Sequence, residues 1–179
     1  MIVSNLVAIL YVLFKTKALA SPLTAIGFQD VSWKTTLWVG GTLYLTFVPI
    51  WYGAGSIEAI LRGGEGSTQS SIQALTTNEA VGASVLFLIG VCAIVPILEE
   101  ILFRGFLYPI LRKRLGVPVA IAINGVAFAL MHDGGRPQIF TIGVLLALLF
   151  EKTRSLKVVV LAHMFHNTMT IALIRLVHW

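Results

Sequence analysis

Glu99, Glu100, Arg104, His132, His163, His166 and Asn167 lie within stretches otherwise made of Leu, Ile, Val, Ala and Phe. Ionisable groups in such surroundings are costly unless each has a partner or a task. Together they contain what water-driven hydrolysis needs. A carboxylate and an imidazole can take a proton from water and direct it at a carbonyl. A second imidazole and a carboxamide can donate hydrogen bonds to the oxyanion that develops. Other hydrolytic devices are missing from the chain: no H-E-x-x-H, no serine in a G-x-S-x-G setting, and no pair of intramembrane aspartates for an acid dyad.

Spacing assigns provisional roles. Glu100 and Arg104 are i, i+4, in the favourable order for an ion pair on one helix face. Glu99 points about 100° away from Glu100, so the two carboxyls cannot do the same thing. Glu100 is expected to hold the helix through Arg104. Glu99 is expected to face a neighbouring helix, where a low dielectric lets a carboxyl exchange protons near neutral pH. Phe128 and His132, and His163 and Asn167, are also i, i+4 pairs. His166 falls off the His163/Asn167 face and reads as a packing residue. Asp133 reads as a turn residue within "HDGGRP".

These residues need helices to bring them to one level. Apolar segments run over about 2–14, 35–53, 80–103, 117–132, 138–150 and 158–177. With a turn near Arg114–Gly116 as pivot, Glu99 and His132 both sit roughly 20–25 Å from it. Reflecting His132 through turns near Gly135 and Arg154 lands near Met169. Asn167 is then about 3 Å away in rise and His163 about 9 Å. Depth is matched by this arithmetic; azimuth is not. The Gly/Ser/Thr-rich connection 54–79 reads as a loop, with an amphipathic turn near Ile57–Leu61.

Composition agrees with a membrane setting. Of 179 residues, 57% are hydrophobic and 12% charged, and mean hydropathy is +0.89. That charge fraction is about half of what a soluble domain carries. The expected fold is all-α, a polytopic membrane helix bundle of about six spans, since only internally bonded backbone is tolerated in lipid. Residues 1–79 are expected to supply membrane helices and the polar loop, and residues 80–179 the functional core. A net charge of +5 does not indicate nucleic acid here. The lysines and arginines fall in short clusters between apolar segments, where anionic lipid and insertion direction explain them. Alternating spans gather Lys15, Lys17, Lys34, Arg112, Lys113, Arg114, Lys152, Arg154 and Lys157 on one side, expected to be cytoplasmic, with the N-terminus outside. Trp33, Trp51, Tyr52 and Trp179 read as interfacial anchors. The single cysteine, Cys92, excludes an internal disulfide and reads as a small core residue.

Three motifs in this order resemble a known family. "EEILFR" fits E-E-x-x-x-R, "FALMH" (Phe128–His132) fits F-x-x-x-H, and "HMFHN" (His163–Asn167) fits H-x-x-x-N. The chain thereby resembles the CPBP family, which groups the Ras-converting CAAX endopeptidase with bacterial Abi and bacteriocin-immunity membrane proteins. "FRGFLYPILRKR" and "EKTRSL" add to the likeness, which covers about 80–172. The resemblance implies Glu99 as general base and His132 as its partner in activating water. It implies His163 and Asn167 as the oxyanion site, with Glu100, Arg104 and Phe128 in support. It implies a membrane-associated peptide or lipidated protein as substrate and a bacterial-type cell membrane as location. No cofactor is required; the alternative is Zn²⁺ held by Glu99, His132 and His163.

Two rival readings keep the same polar residues. A non-catalytic immunity or scaffold protein of the Abi type would use them to hold helices together. A proton-coupled carrier would use Glu and His as a relay. Six short helices without an internal repeat argue against the carrier.

Overall fold

A computed structural model describes Gly27, residues 31–64 and residues 81–177. The first expected segment, 2–14, residues 65–79 of the expected 54–79 connection, and Trp179 lie outside the described residues. Every regular element among the described residues is helical. Helix α1 is Trp33–Leu61. Helix α2 runs without a break from Val81 to Leu115, and α3 is Val117–Leu130. Helices α4 (Arg136–Thr153) and α5 (Leu156–Val177) follow. Among the described residues two stretches are long and apolar enough to cross a membrane alone, Val85–Leu115 and Leu156–Leu173; Val117–Leu130 is apolar but shorter.

Residues at the helix ends explain where each one starts and stops. Ser32 caps α1, its hydroxyl accepting from the Thr35 N–H at 3.2 Å. Gly116, at φ 78°, makes the turn between α2 and α3 that few other residues would tolerate. Pro118 and Pro137 occupy first-turn positions of α3 and α4, where a missing N–H is harmless. The expected loop beginning at residue 54 is corrected: α1 continues to Leu61 and Glu58 pairs with Arg62 at 3.2 Å. The glycines in "GAGS" interrupt the hydropathy pattern but do not break the helix, since a single Gly costs only about 1 kcal/mol.

Helix α2 is wound unevenly, and its prolines account for this. Two π-helical segments, Gly90–Ile94 and Ile101–Leu107, each end just before an X-Pro pair, Val95-Pro96 and Tyr108-Pro109. A proline ring collides with the carbonyl four residues earlier, here that of Cys92 or Gly105. One wider turn relieves the collision. Glu99 and Glu100 lie in the short α-helical stretch Val95–Glu100 between the two.

The core is the meeting of α2, α3, α4 and α5, with α1 laid against α4 and α5. Its apolar members include Phe103, Phe128, Ile142, Leu145, Leu146, Leu149, Leu156 and Val159. Helices α3 and α4 approach tightly at Gly125 and Gly143. A Cβ on Gly143 would stand 3.2 Å from the Gly125 Cα and 3.2 Å from the Phe128 Cβ. At one end of the bundle Glu151 gathers charge. It accepts from the Tyr108 hydroxyl at 2.8 Å, from Arg112 Nε at 2.9 Å, and from Arg154. Lys157 joins α5 to the Val31 carbonyl at the same end, 3.4 Å away.

Candidate functional site

Four helices contribute to one buried polar cluster. Glu99, Glu100 and Arg104 come from α2, and His163 from α5; each is 3% exposed or less. His132 follows the last turn of α3, in the turn before α4, with its side chain 9% exposed. Helix α4 contributes backbone, through Gly143.

The expected Glu100–Arg104 ion pair forms, with Nη1 to Oε1 at 2.9 Å and both side chains wholly buried. Arg104 uses its second nitrogen, Nη2, to donate to the Gly143 carbonyl at 2.8 Å. That carbonyl is within reach because α3 and α4 touch through glycine. The guanidinium also lies 4.8 Å from the Phe128 ring centroid, a cation–π distance. One arginine thus ties α2 to α3 and α4.

Glu100 does more than its spacing indicated. The same Oε1 that receives Arg104 also accepts from His163 Nδ1 at 2.8 Å. Since a carboxylate only accepts, Nδ1 carries the hydrogen. His132 is fixed in the same way: its Nδ1 lies 2.7 Å from the Phe128 carbonyl, another obligate acceptor. Each ring therefore turns its Nε2 inward. His132 Nε2 is 3.8 Å from Glu99 Oε1, and His163 Nε2 is 3.8 Å from Glu99 Oε2. Both gaps are too long for a direct hydrogen bond.

Phe128 is the wedge that spaces the cluster. Its ring packs on Phe103 (5.0 Å), on His132 (4.8 Å) and on His163 (5.8 Å). The F-x-x-x-H pattern thus supplies a backbone acceptor for one imidazole and an apolar wall for two.

Asn167 makes a backbone contact that its spacing did not indicate. Its Nδ2 donates to the Val91 carbonyl at 2.9 Å. The π segment explains why that carbonyl needs a partner. The Val95 N–H bonds to Gly90 instead, and the next residue, Pro96, has no N–H to offer. Asn167 satisfies the orphan. One amide hydrogen of Asn167 is thereby committed to the helix that carries Glu99.

His166 packs edge-on between Tyr44 (5.7 Å) and Trp51 (5.2 Å), as a packing residue does. Trp51 also packs edge-on against Tyr52, 4.9 Å away. Asp133 lies in the turn between α3 and α4. Sequence reasoning missed Asn124, whose Nδ2 donates to the Phe103 carbonyl at 3.0 Å and binds α3 to the second π segment of α2. It also missed Gly143 and Glu151. A polar residue flanked by Ile and Gly in α3 was the available signal for Asn124.

The alternative Zn²⁺ set of Glu99, His132 and His163 faces inward. Ligands about 2.0–2.1 Å from a tetrahedral zinc stand about 3.3–3.4 Å apart, against 3.8 Å for both Glu–His pairs. Among the described residues no three His, Cys, Asp or Glu side chains form a group able to hold a metal ion.

Residues 81–169 match the model of the family described as type II CAAX prenyl endopeptidase Rce1-like. The matched stretch contains all three motifs and about half of the chain. No curated protein matches the chain. No solved structure matches it either.

Proposed function

The chain belongs, through its 81–169 core, to the Rce1-like family of type II CAAX prenyl endopeptidases, and we propose that it is an intramembrane endopeptidase in which Glu99 and His132 activate water. It is an integral membrane protein of a peptidase family, which implies a peptide or protein substrate at the membrane. The observation that carries the mechanism is the placing of Glu99 between two imidazole Nε2 atoms, each 3.8 Å away and each oriented through its own Nδ1.

Charge counting says how the cluster works. Glu99 and Glu100 bring two negative charges and Arg104 one positive charge. A single proton shared among Glu99, His132 and His163 makes the buried set neutral, which a low-dielectric interior favours. Water held by Glu99 and His132 gives its proton to the Glu99 carboxylate as its oxygen attacks the scissile carbonyl carbon. The carbonyl π electrons move to oxygen. With the shared proton on His163, Nε2–H donates to this oxyanion, while Glu100 on Nδ1 stabilises the imidazolium. Collapse breaks the C–N bond, and Glu99 returns its proton to the departing amine. The products are a carboxylate and an amine.

Arg104 and Glu100 serve as positioning residues in this reading, and Phe128 sets the separation of the rings. Asn167 holds the π segment of α2; its second amide hydrogen is left to support the oxyanion. The substrate is a membrane-associated protein or peptide with a prenylated C-terminus. The basic ends of the bundle, with Arg112, Arg154 and Lys157, face the cytoplasm.

The test uses the protein reconstituted in vesicles with a prenylated C-terminal peptide. Wild type cleaves it. Glu99→Gln and His132→Ala keep the wild-type unfolding temperature and lose cleavage. Cleavage retained by either folded variant overturns the assignment.

A further inference from the structure

A second feature lies beside the cluster, between α1, α4 and α5. Helices α1, α4 and α5 enclose a cavity of about 210 Å³. Its floor is Ile142, Leu145 and His166, each at most 8% exposed. Its mouth is bordered by Leu45, Tyr52 and Leu173, exposed by 72%, 50% and 41%. Glu99, His132 and His163 do not line it.

The physical setting selects the occupant. An apolar cavity of about 150 Å³ stays dry and accepts a benzene-sized body. This one is larger, and an empty space of that size forfeits the contacts of every group around it. Its mouth opens on apolar side chains exposed along α1 and α5. In an integral membrane protein that surface meets hydrocarbon rather than water. What reaches the mouth is therefore a flexible hydrocarbon chain at high local concentration.

We propose that this cavity is a binding site for one acyl chain of a membrane phospholipid, which enters between α1 and α5 and packs against His166. The site is distinct from the peptidase cluster and shares with it helices α4 and α5. His166 in the floor is three residues, just under one turn, from His163 in the cluster. An occupied site wedges α1 against α5 and fixes the helix that presents His163.

Brominated acyl chains quench tryptophan on contact, and Trp51 lines the cavity. Two single-tryptophan proteins are compared in phosphatidylcholine vesicles with increasing fractions of dibromo-acyl phosphatidylcholine. One keeps Trp51; the other keeps Trp38, which is 77% exposed on α1. Trp38 reports the bulk bilayer. The expected result is that Trp51 quenching rises in direct proportion to the brominated fraction, as a single occupant of one site requires, whereas Trp38, with several lipid neighbours, is quenched at lower fractions. Val48→Phe, which narrows the cavity, should move the Trp51 curve onto that of Trp38. Coincident curves in the proteins that keep Val48 overturn the proposal, whether or not the variant folds. Relief of Trp51 quenching by a farnesylated peptide also overturns it, because the cavity would then belong to the substrate's own lipid. The readout needs no cleavage, so it stands or falls separately from the peptidase assignment.

Discussion

Removing the charge of Arg104 alone tests whether the buried cluster is a single electrostatic unit. Arg104 and Glu100 are both completely buried, their charges 2.9 Å apart. Arg104→Met leaves Glu100 with only His163 Nδ1 as partner and frees the Gly143 carbonyl. At an effective dielectric of about 20, two charges about 4 Å apart attract by about 4 kcal/mol. Breaking a buried pair from one side costs about 3–5 kcal/mol, because the remaining charge has no compensation. Arg104→Met and Glu100→Gln should each lower the unfolding free energy by about that much. The double variant removes both charges and should be more stable than the sum of the singles implies, with a coupling of about 2–3 kcal/mol. Equilibrium unfolding in mixed micelles, followed by tryptophan fluorescence, measures all four corners of the cycle. Single losses below about 1 kcal/mol, or strict additivity, would refute the reasoning.

Three further outcomes follow from the geometry. Gly143→Ala puts a Cβ 3.2 Å from the Gly125 Cα, a backbone atom that cannot rotate away; thermal unfolding should show a loss of about 1–3 kcal/mol. Asn167→Ala leaves the Val91 carbonyl without its donor; stability should fall by about 1–3 kcal/mol together with cleavage, whereas a residue serving only the oxyanion would lower cleavage at unchanged stability. Glu151 lies just beyond the apolar stretch 138–150. Burial pushes its carboxyl up, but hydrogen bonds from Arg112 and Tyr108 and the positive charges of Arg154 and Arg112 outweigh this and hold it below the ordinary range. A carboxyl so depressed stabilises the fold above its unfolded value, about 4.3. That contribution is lost as pH falls through the lower folded value. Glu151→Gln should flatten the acid limb of a stability–pH profile, and an unchanged limb would contradict the role.

Much of the cluster was legible from spacing because helices convert sequence distance into depth. Glu99 and His132 do meet across α2 and the end of α3, as equal distances from the Gly116 turn implied. The Glu100–Arg104 pair follows from i, i+4 geometry alone. Azimuth was the missing quantity. Glu100 was therefore given one partner rather than two, and its bond to His163 came only with the packing of α5. Nothing in the spacing of Asn167 points to Val91, because a regular α2 has no free carbonyl there. Pro96 was the signal for the π segment that frees it. Gly125 and Gly143 carry no polar mark, and their function is the contact they permit. Glu151, set among lysines and arginines, resembles any charged residue at a helix end until Tyr108, Arg112 and Arg154 are seen around it.

The central claim is that Glu99 and His132 act on the same water. Cleavage of a prenylated peptide should be measured for reconstituted wild type, Glu99→Gln, His132→Ala and the double variant. Residues that work as a unit lose activity non-additively. Each single variant should fall by about 10²–10⁴-fold, and the double variant should be no slower than the slower single. Losses that multiply in the double variant would show the two residues acting independently and would contradict the account.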